Sequence, residues 1–130
     1  MFELHQVQRR FGATVGLDGI DLRIAPGATT ALIGPSGAGK STLLRLLIGL
    51  EWPDAGEVRF EGVPLRRDAL LAHRRRIGYV IQEGGLFPHL DAIGNVGLLP
   101  RTLGWSAARI TARASELAAL CRLPDDALRR

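Results

Sequence analysis

An α/β fold built around a phosphate-binding loop is what this sequence predicts, and three observations carry that expectation. Residues Gly34 to Thr42 read Gly-Pro-Ser-Gly-Ala-Gly-Lys-Ser-Thr, which puts Gly34, Gly39, Lys40 and Ser41 at the fixed positions of G-x-x-x-x-G-K-[ST]. The preceding run, Thr29-Thr30-Ala31-Leu32-Ile33, is short and apolar, as a buried parallel strand requires. Beyond the loop, Leu43, Leu46, Leu47 and Leu50 recur at i, i+3, i+4 and i+7, one face of a helix.

Strand, glycine-rich turn and helix together aim backbone N–H groups and a helix N-terminus at one anion. The glycines let a phosphate approach the backbone where a Cβ would block it. Gly34, Pro35, Ser36, Gly37, Ala38, Gly39, Lys40, Ser41 and Thr42 are therefore the candidate cradle of a nucleoside triphosphate. Lys40 is expected to reach the β- and γ-phosphates and the Ser41 hydroxyl to ligate Mg²⁺. Lys40 is also the only lysine of the chain, every other cation being arginine. A compact ammonium fits within a phosphate cradle where a planar guanidinium fork does not.

The 130 residues allow one ordinary domain, and 46% hydrophobic with 23% charged residues is a globular rather than a disordered composition. No apolar run is long enough to span a bilayer, and Met1 leads directly into a strand-like segment, so no leader is expected. A single cysteine, Cys121, excludes an internal disulfide and fits a reducing compartment; it reads as a buried residue on a helix face. The formal charge of +4 comes from scattered arginines without interleaved aromatics, which argues against nucleic acid as the partner.

In chain order, Phe2 to Gln8 and Leu17 to Ile24 read as strands, separated by the irregular Arg9-Arg10-Phe11-Gly12. Pro26-Gly27 and Pro53-Asp54-Ala55-Gly56 are turn signals, the second opening a strand Glu57 to Phe60 that ends at Glu61-Gly62. Arg67 to Arg75 suits a short polar helix, with Arg74-Arg75-Arg76 a solvated basic face, and Ile77 to Gln82 a second buried strand. Glycines and proline make Gly84 to His89 a loop in which His89 is structural. Asp91 to Leu99 is expected to be helical, weakened by Gly94 and Gly97 and ended by Pro100. Ser106 can cap a helix with the stripe Ile110, Ala114, Leu117 and Cys121, and Pro124-Asp125-Asp126 can open another. Trp52 and Trp105, beside turns, read as packing residues.

The order of these features resembles the ATP-binding subunit of ABC transporters over essentially the whole chain. Phe11-Gly12 lies where such subunits place the residue that stacks on adenine; Gly49-Leu50, Pro53, Gly56, Val58 and Gly62 follow the loop at the family's spacing. Ile77-Gly78-Tyr79-Val80-Ile81-Gln82 is similar to the strand entering the Q-loop. The resemblance implies that Phe11 stacks on the base of ATP, and that Gln82 acts catalytically by contacting Mg²⁺ and the attacking water. It implies two partners: a second ATP-binding subunit closing on ATP, and a membrane permease touching the Q-loop and following helices. Its location would be cytoplasmic, peripheral on the inner face of the cell membrane.

The stretch from Tyr79 to Leu90, with Asn95-Val96 and Leu103-Gly104-Trp105, is similar to importers of osmoprotectants such as glycine betaine and choline. Gly94 departs from the acidic residue often found before the asparagine. The family's signature motif, Walker B aspartate, catalytic glutamate and switch histidine are expected beyond Arg130, and none of His5, His73 or His89 sits at the switch position. Residues 1–130 are thus expected to be the N-terminal half of the ATP-binding domain. Two strands of its core, near Ala31 and Val80, would lack their sheet neighbours, and the chain alone would bind nucleotide without hydrolysing it. A non-transport ABC ATPase, or a nucleotide-binding fragment without activity, is the alternative.

Overall fold

Apolar residues on alternate positions fold the first 24 residues into an antiparallel hairpin, β1 (Phe2–Phe11) and β2 (Thr14–Ile24). The computed structural model describes residues 1–82, 84–124 and 128, in two units, residues 1–79 and 80–130. β1 runs three residues further than its pattern predicts, through Arg9, Arg10 and Phe11, and β2 starts at Thr14 rather than Leu17. The periodicity misleads because the register slips between Leu4 and Val7, again before Arg9, and again before Arg10. Each slip inserts a bulge and shifts the phase of the alternation. At the first bulge Gln6 takes φ 48, and its N–H donates to Asp21 Oδ1 at 2.9 Å. β3 (Ala55–Phe60) pairs with the other edge of β1, and the two-residue β4 (Val63–Pro64), too short for a periodic signal, completes the order β2-β1-β3-β4.

One face of this sheet carries α1 (Lys40–Leu47). Leu43, Leu46 and Leu47 of α1 join Leu4, Val7, Leu17 and Val58 in a single buried cluster. Leu50 falls outside the predicted stripe and is 53% exposed. The helix has already stopped: Gly49 reverses the chain at φ 66, and Leu50 N–H returns to Arg45 O at 2.9 Å. α2 (Leu70–Arg74), shorter than the predicted Arg67 to Arg75, closes that end of α1. His73, buried against Phe60 and Phe2, donates from Nε2 to Leu47 O at 2.9 Å. Arg74 donates to Ile48 O at 3.0 Å and Gly49 O at 2.8 Å, satisfying carbonyls that the helix leaves open. The run Arg74 to Arg76 is therefore not merely solvated, for Arg76 also pairs with Glu61 at 2.7 Å and lies over the Phe60 ring.

Two expected buried strands are absent as strands. Neither 29–33 nor 77–82 has a ladder partner among the described residues, and Ile33 and Val80 are 94% and 93% exposed. Leu32 alone of its run packs against the core cluster. Parallel strands are stable when flanked and covered on both faces, and all four paired strands belong to the antiparallel sheet.

In the second unit, α3 (Ala92–Thr102) and α4 (Ala107–Leu120) pack on each other. Asp91 caps α3 by accepting Gly94 N–H at 2.6 Å, and Ser106 caps α4 as expected. The glycines that appeared to weaken α3 are packing positions. A Cβ on Gly94 would sit 2.9 Å from Asp91 Oδ1, and one on Gly97 would sit 3.1 Å from Ile110 Cγ2. Pro100 does not end α3; the helix runs to Thr102, whose hydroxyl donates to Leu99 O at 2.7 Å, while Pro100 O accepts from Trp105 N–H. The α4 stripe passes from Ile110 and Ala114 to Ala118, with Leu117 half-buried and Cys121 exposed rather than buried. Arg122 at φ 54 turns the chain there, and Leu123 N–H reaches back to Ala118 O at 2.9 Å. Arg67 lies over the Trp52 ring and Arg109 over the Trp105 ring, both tryptophans packing as expected. The helix expected from Asp125 and Asp126 lies outside the described residues.

Leu46 of α1 is fully buried in the first unit, as are Leu4 and Val7. Leu46→Ala is expected to destabilise the fold by about 2–5 kcal/mol, read as a lowered midpoint in a urea melt; an unchanged midpoint would remove α1 from the core.

Candidate functional site

The loop Gly34–Gly39 reaches α1 through two left-handed residues, Gly37 at φ 81 and Gly39 at φ 80, conformations that side chains resist. Gly39 is also the N-cap of α1 and offers no side chain to satisfy the first helical N–H groups, nor does the first turn hold an acid. The first bond of the helix, Leu43 N–H to Gly39 O at 2.9 Å, leaves the donors of Lys40, Ser41 and Thr42 facing out of the N-terminus. Partial positive charge collects at such an end, so the donor set fits an anion. Lys40, half-buried, folds back over the loop and donates from Nζ to Gly34 O at 2.8 Å and Pro35 O at 2.6 Å. Its ammonium is thereby held at the mouth of the loop. Ser41 is exposed on the first turn, where its hydroxyl can serve a cation accompanying the phosphates.

The hairpin stands beside the loop. Phe11 closes β1, 44% exposed, with its ring edge against Gly16 of β2: a Cβ on Gly16 would lie 2.9 Å from Phe11 Cε2. Gly16 also receives the phosphate loop, since a Cβ on Gly39 would lie 2.5 Å from Gly16 O and 2.8 Å from Leu17 Cδ2. Ring and loop thus both pack on one residue, Gly16. Behind the ring, the Arg9 guanidinium sits 4.7 Å from the ring centroid and binds Asp54 and Glu51, each at 2.9 Å. Asp54 also accepts Arg10 N–H at 2.7 Å. That backbone bond, more than the Arg9 guanidinium, holds the Asp54 carboxyl below the usual carboxylate range. Because the shift is downward, the tie is intact at neutral pH and is lost only as pH falls through the lowered value.

Within the first unit the predicted cradle and Phe11 both reach Gly16, while Gln82 is exposed in the second unit. The loop that follows is organised by Asn95. Its Nδ2 donates to Phe87 O at 3.1 Å, and to Leu90 O and Asp91 O at 3.0 Å each, and its Oδ1 accepts Phe87 N–H at 2.7 Å. His89 packs edge-on to Phe87, both side chains exposed. Sequence reasoning noticed Asn95 only as part of a resemblance, read Arg74 as part of a solvated face and His73 only as lying off the switch position, and gave no role to Arg9 or Gly16. A cation two residues before an exposed aromatic, with acids past the next helix, was the available signal for Arg9.

A glycine turn, a lysine folded onto it and an open helix N-terminus define a nucleotide-binding protein of the phosphate-loop class. The chain belongs to the ABC transporter family, whose model matches residues 17–130. It is 42% identical over 127 residues to the sulfate/thiosulfate import ATP-binding protein CysA of Bradyrhizobium diazoefficiens, covering 93% of this chain and 36% of that protein. It is 45% identical over 131 residues to the Fe(3+) ions import ATP-binding protein FbpC 3 of Rhodococcus jostii, covering 98% and 36%. With the glycine betaine uptake system ATP-binding protein YehX of Escherichia coli it shares 42% identity over 123 residues, covering 95% and 40%. The chain therefore spans between 36% and 40% of the length of these relatives. Among solved structures, it is similar to the dimeric bacterial ABC transporter cassette MJ0796, at TM-score 0.86 and 31% identity over 98% of this chain and 60% of that one. A post-hydrolysis state of the same cassette, bound to ADP and Pi, aligns at TM-score 0.84.

Removal of the Lys40 ammonium by Lys40→Ala is expected to abolish nucleotide binding in a fluorescent-nucleotide titration. Lys40→Arg keeps the charge but must fit a planar fork against Gly34 O and Pro35 O, and is expected to bind roughly tenfold more weakly, about 1.4 kcal/mol. Equal affinity of Lys40→Arg and the parent would contradict the cradle geometry.

Proposed function

We propose that these residues form the first half of an ATP-binding domain that binds ATP and Mg²⁺ to power an ABC importer. The observation that carries this reading is the Lys40 ammonium, held by two loop carbonyls beside the uncapped N-terminus of α1. In this reading Gly34 to Thr42 hold the phosphates, Ser41 ligates Mg²⁺, and Phe11 stacks on adenine. Gln82 joins the metal and orients the attacking water. Mg²⁺ supplies charge neutralisation at the phosphoryl oxygens; phosphoryl transfer then rests on positioning. The domain works as a dimer with ATP at its interface. It docks on a permease from the cytoplasmic side, through the Gln82 loop and the helices after it. The chain as given binds nucleotide, and turnover belongs to the dimer with its further carboxylates.

For the imported substrate we propose an osmoprotectant such as glycine betaine or choline. Support comes from Leu86-Phe87-Pro88-His89 with Asn95-Val96, and from the likeness to a glycine betaine uptake protein. Sulfate and Fe(3+) import proteins are similar to the same degree, so the deciding measurement is uptake. ATP-dependent accumulation of labelled glycine betaine by vesicles carrying this subunit with its permease is expected; accumulation of sulfate or iron instead would overturn the assignment.

Base stacking at Phe11 has its own signature. Phe11→Ala is expected to weaken ATP binding by about 1–3 kcal/mol, roughly five- to 150-fold, while inorganic triphosphate binds as before. Phe11→Tyr keeps the π-face and should bind ATP like the parent. Equal losses for ATP and triphosphate would make Phe11 a packing residue only.

A further inference from the structure

We infer that Arg9 is a positioning residue for the base site, holding the Phe11 ring at the angle at which a nucleotide base stacks. This rests on the reading of Phe11 as the stacking ring. The guanidinium lies 4.7 Å from the ring centroid, over one face, and so leaves the opposite face for a base. It is itself fixed at both ends of its fork: Nη2 to Glu51 and Nη1 to Asp54, each at 2.9 Å. Asp54 is tied again to the hairpin, accepting Arg10 N–H at 2.7 Å and donating its own N–H to Gln8 O at 2.9 Å. Arg9 Nε, by contrast, is buried with no acceptor among the described residues. A buried donor left unpaired is unfavourable, so the guanidinium is kept in place by its two carboxylates and the ring face together.

The geometry ties Phe11 to the segment that leaves α1. Glu51 and Asp54 lie just beyond the C-terminal end of that helix, and the phosphate loop lies at its N-terminal end. A ring restrained only by Gly16 at its edge could swing about χ1 and χ2. With Arg9 behind it, the face presented to the base is set relative to the same helix that presents the phosphate donors. Base and phosphate subsites then share one rigid frame, and the stacking geometry exists before nucleotide arrives.

A positioning role differs from a general electrostatic one in which ligand responds. Removing a cation that attracts phosphates weakens ATP and triphosphate alike; removing one that orients the ring weakens ATP alone, and only while the ring is there. The experiment is a titration of the 130-residue chain with Mg-ATP and with inorganic triphosphate, in the parent, Arg9→Met, Arg9→Lys, Phe11→Ala and the Arg9→Met/Phe11→Ala double variant. Arg9→Met should weaken ATP roughly two- to fivefold, the range of an exposed cation–π contact, and leave triphosphate unchanged. Arg9→Lys, which keeps the charge over the ring, should recover most of the loss. The double variant should bind ATP no more weakly than Phe11→Ala alone, because the two residues act through one contact. Losses that multiply in the double variant, a loss shared equally by triphosphate, or full ATP affinity in Arg9→Met would each overturn the inference. If Phe11→Ala itself weakens both ligands equally, the stacking reading fails first, and that outcome is seen without reference to Arg9.

Discussion

The phosphate loop meets the antiparallel sheet at a contact with no side chain between the two backbones. Gly39 packs directly on the carbonyl of Gly16, in a left-handed conformation and at a separation that no Cβ could enter. Everything else in the first unit is arranged around that approach. α1 starts at this point, so its N–H donors emerge where loop and sheet touch, and its buried face of Leu43, Leu46 and Leu47 lies across β1, β2 and β3. Moving α1 outward by the width of a methyl group would displace the donors from the loop and open the core at once. A glycine at position 39 is therefore what allows the helix to pack here.

A helix of eight residues is too short to be stable by itself, and both of its ends need partners. The N-terminal end has no side-chain cap among the described residues, which suits it to an anion. The C-terminal end is closed by α2, through His73 on Leu47 O and Arg74 on Ile48 O and Gly49 O. Positive charge from Arg74 at that end complements the helix dipole. One end is satisfied by protein, leaving the other free for an anionic ligand; this asymmetry is a physical account of why a basic run lies between β4 and residue 77.

In the second unit the Asn95 side chain ties down the loop that precedes α3. Asn95 is one turn into α3, and its amide spends both donors and its acceptor on the backbone of Phe87, Leu90 and Asp91. An aspartate there would lose the donors, and an alanine would lose all of it. Gly94 and Gly97 belong to the same economy of space, the first beside the Asp91 cap and the second beneath Ile110.

Local chemistry was legible in the sequence: the loop spacing at Gly34 to Thr42, the presence of three early strands, the alternation at Ile20, Leu22 and Ile24, the cap at Ser106, and the apolar face of α1 through Leu47. Each depends on residues within a few positions of one another, so a one-dimensional pattern contains it. The bulges in β1, the end of α1 before Leu50, the exposure of Cys121 and the run of α3 through Pro100 depend on how a backbone turns, and no periodicity records that. The buried strands expected at 29–33 and 77–82 had the right composition, but a parallel strand is made by its neighbours, and the paired strands here lie elsewhere. The functional consequence is the same in kind. Sequence alone pointed to a phosphate-binding loop at Gly34 to Thr42 and to Lys40 as its cation. Only the tertiary structure decided that Phe11, Gly16 and Gly39 meet, and that Arg9 stands behind the ring, because that arrangement joins residues 9, 16, 39, 51 and 54 through contacts between separate elements.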